Sequence, residues 1–316
     1  MNQITQRPAI GSAHSKLILL GEHAVVYGMP AIALPFPLLE VVSTVEEISD
    51  QITLICDYYR GPLGQVPQKL RGIASCISET LHILNQPQKG LLIRLHSSIP
   101  IGRGLGSSAA IAIAIVKSLF AFHRQNLEPE VLMSLVHKAE TFAHGTPSGI
   151  DMAAALSDFP IWFQKGKQIR NLQLGGPLYL IVADTGHFGD TRAAVLSVRD
   201  KFRAYPESTQ KSVNQLGVIT LEARAALSTG NLAWLGSLFD QAQAELVDLG
   251  VSDDSINRLV DTAKKAGSLG AKLTGGGRGG CVLALAKNLA HAKRIANTLI
   301  KAGASNTWYF RLDGNG

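Results

Sequence analysis

Cysteine and long apolar runs are both scarce in this 316-residue sequence. The three cysteines, Cys56, Cys76 and Cys281, form no CxxC pair. Such an odd, low count argues against a disulfide scaffold or a thiolate metal site and favours a reducing compartment. The longest apolar candidate, residues 109–116, stops at Lys117, far short of the ~20 residues that cross a bilayer. The N-terminal segment lacks the apolar core of a signal peptide, so we expect a cytoplasmic protein without a membrane partner.

Strong charge of one sign is missing as well. Lys and Arg number 30 against 24 Asp and Glu, a net charge of +6, and no basic run exceeds two residues. No nucleic-acid partner is therefore expected, and the slight positive excess suits an ordinary surface or a small anionic substrate. The chain has 46% hydrophobic and 17% charged residues, as globular proteins do, and its length predicts about two domains.

Apolar spacing predicts a mixture of strands and helices along the whole chain. In the first half, strands are expected near 16–20, 31–45, 51–58 and 90–96, and helices over 66–84, 107–123 and 129–144. In the second half, strands are expected at 177–183, near Ala271, at 281–286 and at 307–312, and helices at 206–228, 231–249, 253–266 and 289–301. The polar stretch 164–173 predicts a boundary between two domains, 1–175 and 176–316, of which the second is α+β.

Three alternating glycines, Gly102, Gly104 and Gly106, lie in the segment PIGRGLGSSAA at positions 100–110. Glycine permits positive φ and close backbone approach, so successive N–H groups can form an anion nest in front of the helix predicted next. The segment matches neither the Walker A sequence nor GxGxxG, and the HRD and DFG signatures of protein kinases do not occur. It predicts a polyphosphate site, with a tight turn before a buried helix as the alternative.

Two further segments place polar or glycine residues where packing does not require them. KLTGGGRGGC at 272–281 lies between two predicted strands, and close approach to a ligand explains it better than a flexible hairpin loop. KLILLGEHAVVYG at 16–28 interrupts an apolar stretch with Lys16, Glu22 and His23, which need partners if they are buried. A hairpin with an exposed Glu-His tip is the alternative for this segment.

Two carboxylates stand close together in the middle of the chain. Glu140 lies at the edge of the apolar stripe of the helix predicted at 129–144, and Asp151 follows the turn GTPSG at 145–149. This turn lets both carboxylates converge on one pocket. An ordinary solvated glutamate is the alternative for Glu140.

Together these segments resemble the signature sequences of the GHMP kinase superfamily and, within it, of the mevalonate kinase family. The segments that carry the resemblance are KLILLGEHAVVYG at 16–28, GLGSSAA at 104–110, HGTPSGID at 144–151 and KLTGGGRGGC at 272–281. They occur in the family's order and span most of the chain, which is short for the family and fits a compact bacterial or archaeal type.

The resemblance implies an α+β fold of two domains, the first like ribosomal protein S5 domain 2 and the second ferredoxin-like, with ATP between them. It implies ATP-dependent phosphorylation of the C5 hydroxyl of mevalonate, in isoprenoid precursor synthesis by the mevalonate pathway. ATP and Mg²⁺ are the implied cofactors, mevalonate is the small-molecule partner, and a homodimer is the implied assembly.

A role for each matched residue follows from the same resemblance. Asp151 is the expected catalytic base, Lys16 its charge-stabilising partner, and Ser108 and Glu140 the expected Mg²⁺ ligands. The residues expected to hold the ATP phosphates are Pro100, Gly102, Arg103, Gly104, Leu105, Gly106, Ser107, Ser108, Ala109 and Ala110. The residues expected to bind mevalonate are Glu22, His23, Thr191, Thr274, Gly275 and Gly276.

The chain also departs from the family pattern in two places. His14 and Ser15 replace the Pro-Gly that precedes the lysine in many members, and Arg103 and Arg278 occupy variable positions where contact with phosphate and exposure to solvent are both open. Other acceptors, such as phosphomevalonate, homoserine or galactose, remain alternatives. So does a ligand sensor without turnover, against which the complete set of catalytic residues argues.

Overall fold

The computed structural model of the chain describes residues 7–144 and 148–313. Its contacts divide the chain into two compact units, and each unit is assembled from separate segments. Unit 1 comprises Met1–Lys16, Phe36–Pro100 and Gly106–Leu156, whereas unit 2 comprises Leu17–Pro35, Ile101–Leu105 and Ser157–Gly316. The division into domains 1–175 and 176–316 stays a prediction.

Unit 1 contains a mixed sheet with the strand order β4-β3-β5-β2 among the described residues. Its strands are β2 (Ala31–Gln51), β3 (Thr53–Cys56), β4 (Tyr59–Pro62) and β5 (Lys89–Ser97), and β1 (Ala9–Leu20) pairs with β2. Strand β5 is antiparallel to β2 and parallel to β3. It buries Leu91, Ile93 and Leu95 and turns the intervening side chains outward, as the two-residue period of a half-buried strand requires.

The helices of unit 1 are α1 (Arg71–Ile83), α2 (Ser107–Phe122), α3 (Pro129–His144) and α4 (Ile150–Ala155). Helix α2 is buried on nearly all sides, which explains its almost continuous apolar sequence. Strand β1 approaches it very closely, since a Cβ atom at Gly11 would lie 2.3 Å from the Ala114 carbonyl oxygen. Only glycine fits at this crossing, which brings the residues that follow it close to the start of the central helix.

Unit 2 contains an antiparallel sheet with the strand order β11-β8-β10-β9 among the described residues. Its strands are β8 (Leu178–Asp184), β9 (Gly270–Thr274), β10 (Cys281–Ala286) and β11 (Asn306–Leu312). The glycine-rich residues 275–280 form the β9–β10 hairpin loop. Elsewhere in this unit, β6 (Ile161–Phe163) pairs with residues 31–33 of β2 and with β7 (Arg170–Asn171).

The helices of unit 2 are α5 (Thr191–Ala204), α6 (Pro206–Ser228), α7 (Leu232–Asp248), α8 (Asp254–Lys265) and α9 (Leu289–Lys301). Four of them begin behind a side-chain cap, supplied by Asp190, Asn231, Asp253 and Asn288. Helices α7, α8 and α9 pack against the antiparallel sheet. No helix in the described part of the chain combines the length and apolarity that crossing a membrane demands.

Most of the predicted elements are confirmed, and the errors have local causes. The helix predicted over 66–84 begins only at Arg71, because Pro67 interrupts the pattern and a 3-10 turn precedes the helix. The strand predicted over 51–58 is confirmed but shorter: β3 ends at Cys56, and a turn leads into β4. Helices α4 and α5 are not predicted by apolar spacing, because α4 is only about one and a half turns long and half of the residues of α5 are polar or charged.

Candidate active site

A buried lysine and a half-exposed aspartate form an ion pair in unit 1. Lys16 Nζ lies 2.6 Å from Asp151 Oδ1; the lysine side chain is 1% exposed and the aspartate 37%. Asp151 lies in the first turn of α4, which begins after Gly149 at a φ of +88°. The predicted turn at 145–149 falls partly outside the described residues, because positions 145–147 are not among them. The pair therefore presents a carboxylate to solvent and keeps its counter-charge in the protein.

Glu140 is buried beside this pair, so the alternative of a solvated glutamate is wrong. It is 3% exposed. Burial, and secondly the charge of Asp151, raise the pKa of Glu140 to about 8, while Lys16 and a hydrogen bond from Ser108 act in the opposite direction. Two carboxylates and a hydroxyl thus converge. The sequence pattern predicts this for the two carboxylates, and the resemblance to the family implies it for the Ser108 hydroxyl. A proton or a cation would relieve the repulsion between the two acids.

The start of α2 adjoins the lysine. Gly106 occupies the N-cap position at a φ of +75°, and no side chain caps the first N–H groups of the helix. A Cβ atom at Gly106 would lie 2.8 Å from Cγ and Cε of Lys16, so the glycine is required for close approach as well as for conformation. Ser107 Oγ is buried and has no hydrogen-bond partner among the described residues. An open helix N-terminus with an unpartnered hydroxyl is suited to an anion.

Unit 2 holds a second buried ion pair, between Glu22 and Lys272. Both side chains are 0% exposed, so the alternative of an exposed Glu-His tip is wrong. Lys272 also donates to the Leu273 carbonyl oxygen, 2.6 Å away, and its Nζ lies 5.9 Å from the ring centre of Phe239. Lys272 has no role predicted from the sequence. A lysine inside the otherwise uncharged and fully buried strand β9 is the signal that points to it, because a buried ammonium needs a partner.

His23 is fixed next to this pair in an unusual backbone conformation. Its φ is +59°, it is 6% exposed, and its Nε2 donates to the Gly276 carbonyl oxygen at 2.9 Å. Burial lowers the pKa of His23 to about 4, the hydrogen bond to Gly276 opposes that effect, and the charge of Arg278 adds to it. The imidazole is therefore neutral at physiological pH, with its proton on Nε2.

Three residues predicted to bind mevalonate and two predicted to hold the ATP phosphates come together around the hairpin loop. Arg103, Gly104, Thr191, Thr274 and Gly276 line one small cavity. The loop's glycines are buried, which contradicts a flexible hairpin loop. A Cβ atom on Gly275 would lie 2.9 Å from Cα of Gly104, so the two glycine segments touch through their backbones. Thr274 Oγ1 donates to the Ile18 carbonyl oxygen at 2.9 Å.

The two variable arginines behave differently. Arg103 is 17% exposed and its Nε lies 2.7 Å from Asp184 Oδ1, so solvent exposure is wrong for this side chain. Arg278 is exposed at a φ of +53° and donates to the Gly250 carbonyl oxygen at 3.3 Å. The His14-Ser15 departure leaves the lysine in place: Ser15 is buried, and Lys16 still reaches Asp151.

Comparisons with known proteins agree with these motifs. The model for the GHMP kinases N terminal domain matches residues 69–158, and the model for the GHMP kinases C terminal domain matches residues 223–305. A mevalonate kinase of Thermococcus sibiricus is 34% identical over 88% of this chain and 89% of its own length. The chain belongs to the GHMP kinase family.

Solved structures of the family have the same fold. The chain resembles the L. major mevalonate kinase in complex with R-mevalonate with a TM-score of 0.82 and 27% identity, over 99% of this chain and 97% of that one. It resembles a mevalonate kinase from Staphylococcus aureus with a TM-score of 0.74 and 32% identity, over 98% of this chain and 100% of that one. The predicted α+β fold with N- and C-terminal GHMP kinase domains is confirmed.

Proposed function

We propose that this chain is an ATP-dependent kinase that phosphorylates the C5 hydroxyl of mevalonate to give 5-phosphomevalonate and ADP, in the mevalonate pathway to isoprenoid precursors. The buried Lys16 paired with the half-exposed Asp151 is the observation that carries the proposal. Relatives at up to 34% identity over most of the chain, which are named mevalonate kinases, support the same acceptor.

Each member of the unit 1 cluster has a chemical task in this reaction. The Asp151 carboxylate accepts the C5 hydroxyl proton as that oxygen bonds to the γ-phosphorus, while the bond from phosphorus to the β,γ-bridging oxygen breaks and ADP leaves. Lys16 holds the carboxylate in place and stabilises negative charge at the reacting oxygens. Residues 106–110 bind phosphate through the open amides of α2, and the Ser107 hydroxyl adds a donor.

The same cluster fits Mg²⁺ in its chemistry. Glu140 and Ser108 are hard oxygen donors. Burial, and secondly the charge of Asp151, raise the pKa of Glu140, and a divalent cation would stabilise its ionised form. In the described part of the chain, His, Cys, Asp and Glu form no group of three or more that could enclose a metal. Ser108 and Glu140 would hold the ion together with phosphate and water. When bound, Mg²⁺ neutralises charge on the transferring phosphoryl group.

The unit 2 cluster is suited to recognise a small hydroxy acid. Lys272 fixes Glu22, and the Gly276 carbonyl oxygen fixes a neutral His23, so both side chains are held in place before a ligand binds. Thr191, Thr274 and Gly275 contribute hydroxyl and amide groups around the hairpin loop. Arg103, Gly104 and the other residues of 101–105 bind ATP phosphates chiefly through their backbone.

The test is ADP release by the purified protein with ATP and Mg²⁺, with mevalonate, phosphomevalonate, homoserine and galactose assayed side by side. Turnover on mevalonate alone is expected. Turnover on another acceptor would keep the kinase and overturn the roles of Glu22 and His23. ATP binding without turnover on any acceptor would favour a ligand sensor. Light scattering of the same sample tests the expected homodimer, and cell fractionation tests the expected cytoplasmic location.

A further inference from the structure

Asp184 lies where the two glycine segments of unit 2 meet. It ends β8, pairs with Cys281 at the start of β10, and is 5% exposed. Its Oδ1 accepts the N–H of Gly186 at 2.8 Å and forms the ion pair with Arg103, whose Nη2 donates to the Gly186 carbonyl oxygen at 3.1 Å. The Asp184 carboxylate thus stabilises the turn that follows it and also forms an ion pair with the arginine of the predicted phosphate-binding segment.

Residues 184–189, which we name the clamp turn, contact the phosphate-binding segment at further points. The Gly189 N–H donates to the Gly102 carbonyl oxygen at 2.8 Å. The ring of Phe188 covers Gly102 so closely that a Cβ atom there would lie 2.0 Å from it. Backbone, ring and guanidinium contacts therefore all fix residues 101–105 to one turn.

The clamp turn fixes the hairpin loop as well. Thr185 donates to the Gly280 carbonyl oxygen from both its N–H and its hydroxyl, at 2.9 and 2.8 Å, and the Gly280 N–H donates to the His187 carbonyl oxygen at 2.9 Å. Glycine-rich backbone has many accessible conformations, and ordering it costs free energy. Because these contacts already order the glycine-rich segments in the free protein, the free-energy cost of ordering them falls on folding and not on nucleotide binding.

We propose that Asp184 is a positioning residue for the nucleotide: through Arg103 it holds residues 101–105 in the conformation that binds the ATP phosphates. This inference rests on the proposed function only in requiring that the segment binds nucleotide. In this proposal Asp184 acts through Arg103 and not as a ligand of ATP or of the acceptor. The Arg103 guanidinium acts as a strut, by which we mean a rigid link between residues 101–105 and the clamp turn. Asp184 neutralises its charge, and its Nη2 donates a hydrogen bond to the Gly186 carbonyl oxygen.

The competing explanation is that Arg103 binds phosphate directly and that Asp184 only holds the Arg103 side chain in the absence of nucleotide. The two explanations differ in what removal of the carboxylate does. If Arg103 is a strut, Asp184→Asn frees the segment and weakens nucleotide binding. If Arg103 is a phosphate ligand, the same change releases a cation toward phosphate and leaves binding unchanged or tighter.

The experiment is isothermal titration of ADP with MgCl₂ into the full-length protein and its variants Arg103→Gln, Asp184→Asn and the double variant. We expect each single variant to weaken ADP binding about tenfold, as loss of one charge-assisted contact would do. We expect the double variant to bind no more weakly than the weaker single variant, because both changes break the same contact. With mevalonate, KM for ATP should rise more than kcat falls.

Unchanged ADP affinity in Asp184→Asn alongside weakened binding in Arg103→Gln would overturn the proposal. So would additive losses in the double variant. If Asp184→Asn does not fold, Asp184→Glu keeps the charge and misplaces it, and it should weaken ADP binding only if the strut is real. The exposed pair Arg203–Asp200, 3.5 Å apart, is the matched control, and Arg203→Gln and Asp200→Asn should leave ADP affinity unchanged.

ADP titration also separates this inference from the proposed function, because it needs no acceptor. Wild-type protein that binds ADP but does not phosphorylate mevalonate would refute the function and leave the strut testable. Wild-type protein that phosphorylates mevalonate, with Asp184 variants of normal ADP affinity, would refute the strut alone.

Discussion

Lys16 Nζ lies 2.6 Å from Asp151 Oδ1, and the two residues come from the first strand and the fourth helix of the same unit. The lysine is enclosed while the carboxylate remains half exposed, so only the acid can reach a substrate oxygen. This asymmetry assigns proton transfer to Asp151 and charge stabilisation to Lys16 in the proposed reaction.

The first prediction concerns the carboxylate of Asp151. Asp151→Asn should lower kcat about 10²- to 10⁴-fold, because the amide cannot accept the hydroxyl proton, and should change ADP affinity little. Steady-state kinetics and ADP titration measure the two effects. Asp57→Asn, at an exposed site in the same unit, is the control and should retain full activity. A near-normal kcat in the Asp151 variant would show that Asp151 is not the catalytic base.

The second prediction concerns Gly106. Its φ is +75°, and an added Cβ would collide with Lys16, whereas Gly166 has the same φ and nothing within 4 Å of an added Cβ. Both alanine variants should lose about 1 kcal/mol of stability from the left-handed conformation. Only Gly106→Ala should also lower kcat, because it displaces the lysine. Equal kcat values for the two variants would contradict the close approach.

The third prediction concerns Glu140 and Mg²⁺. Glu140→Ala should raise the Mg²⁺ concentration needed for half-maximal turnover, because one hard oxygen ligand is lost. A Mg²⁺ titration at saturating ATP measures the shift, and Glu130→Ala, at an exposed position of the same helix, provides the control. A Mg²⁺ titration that superimposes on that of the wild-type protein excludes Glu140 as a ligand.

The fourth prediction concerns pH and His23. Its folded pKa of about 4 lies below the unfolded value of 6.5, so between these limits the unfolded chain binds more protons. The stability that depends on this group is fully present above pH 6.5 and is lost as pH falls toward 4, by about 3 kcal/mol in all. His23→Asn tolerates positive φ and should flatten this part of the profile in urea unfolding. If the unfolding free energy of the variant changes with pH as that of the wild-type protein does, burial does not lower the pKa of His23.

The fifth prediction concerns the Glu22–Lys272 pair. Glu22→Gln should cost about 3–5 kcal/mol of unfolding free energy, because it leaves a buried ammonium without its counter-charge. The double variant with Lys272→Met should recover part of that loss. The pair Lys264–Asp240, 2.8 Å apart and partly exposed, is the control, and Asp240→Asn should cost under about 1 kcal/mol. Denaturant unfolding of the four proteins measures each value.

Local sequence patterns predicted the long helices and strands and the residues around Asp151. They did not predict the ion pairs between residues that are distant in sequence. Helices α2 and α3 follow from apolar spacing, and Lys16, Glu140 and Asp151 follow from charges in apolar or turn settings. The partners of Arg103 and Glu22 did not follow, because Asp184 and Lys272 are distant in sequence and spacing carries no information on such contacts. Helix α5 was missed because a capping aspartate, Asp190, rather than an apolar stripe marks its start.

The segmented make-up of the two units constrains how the chain acquires its structure. Leu17–Pro35 and Ile101–Leu105 belong to the unit whose remainder is Ser157–Gly316. During synthesis, Glu22 leaves the ribosome long before its partner Lys272, and Arg103 leaves it before its partner Asp184. The Arg103–Asp184 pair can therefore form once the middle of the chain is present, whereas the Glu22–Lys272 pair needs the last third. A protein truncated before β9 would keep Lys16, Glu140 and Asp151 but would leave Glu22 without the counter-charge of Lys272. We therefore expect such a protein to lose the acceptor recognition proposed for Glu22 while it keeps the proposed catalytic groups.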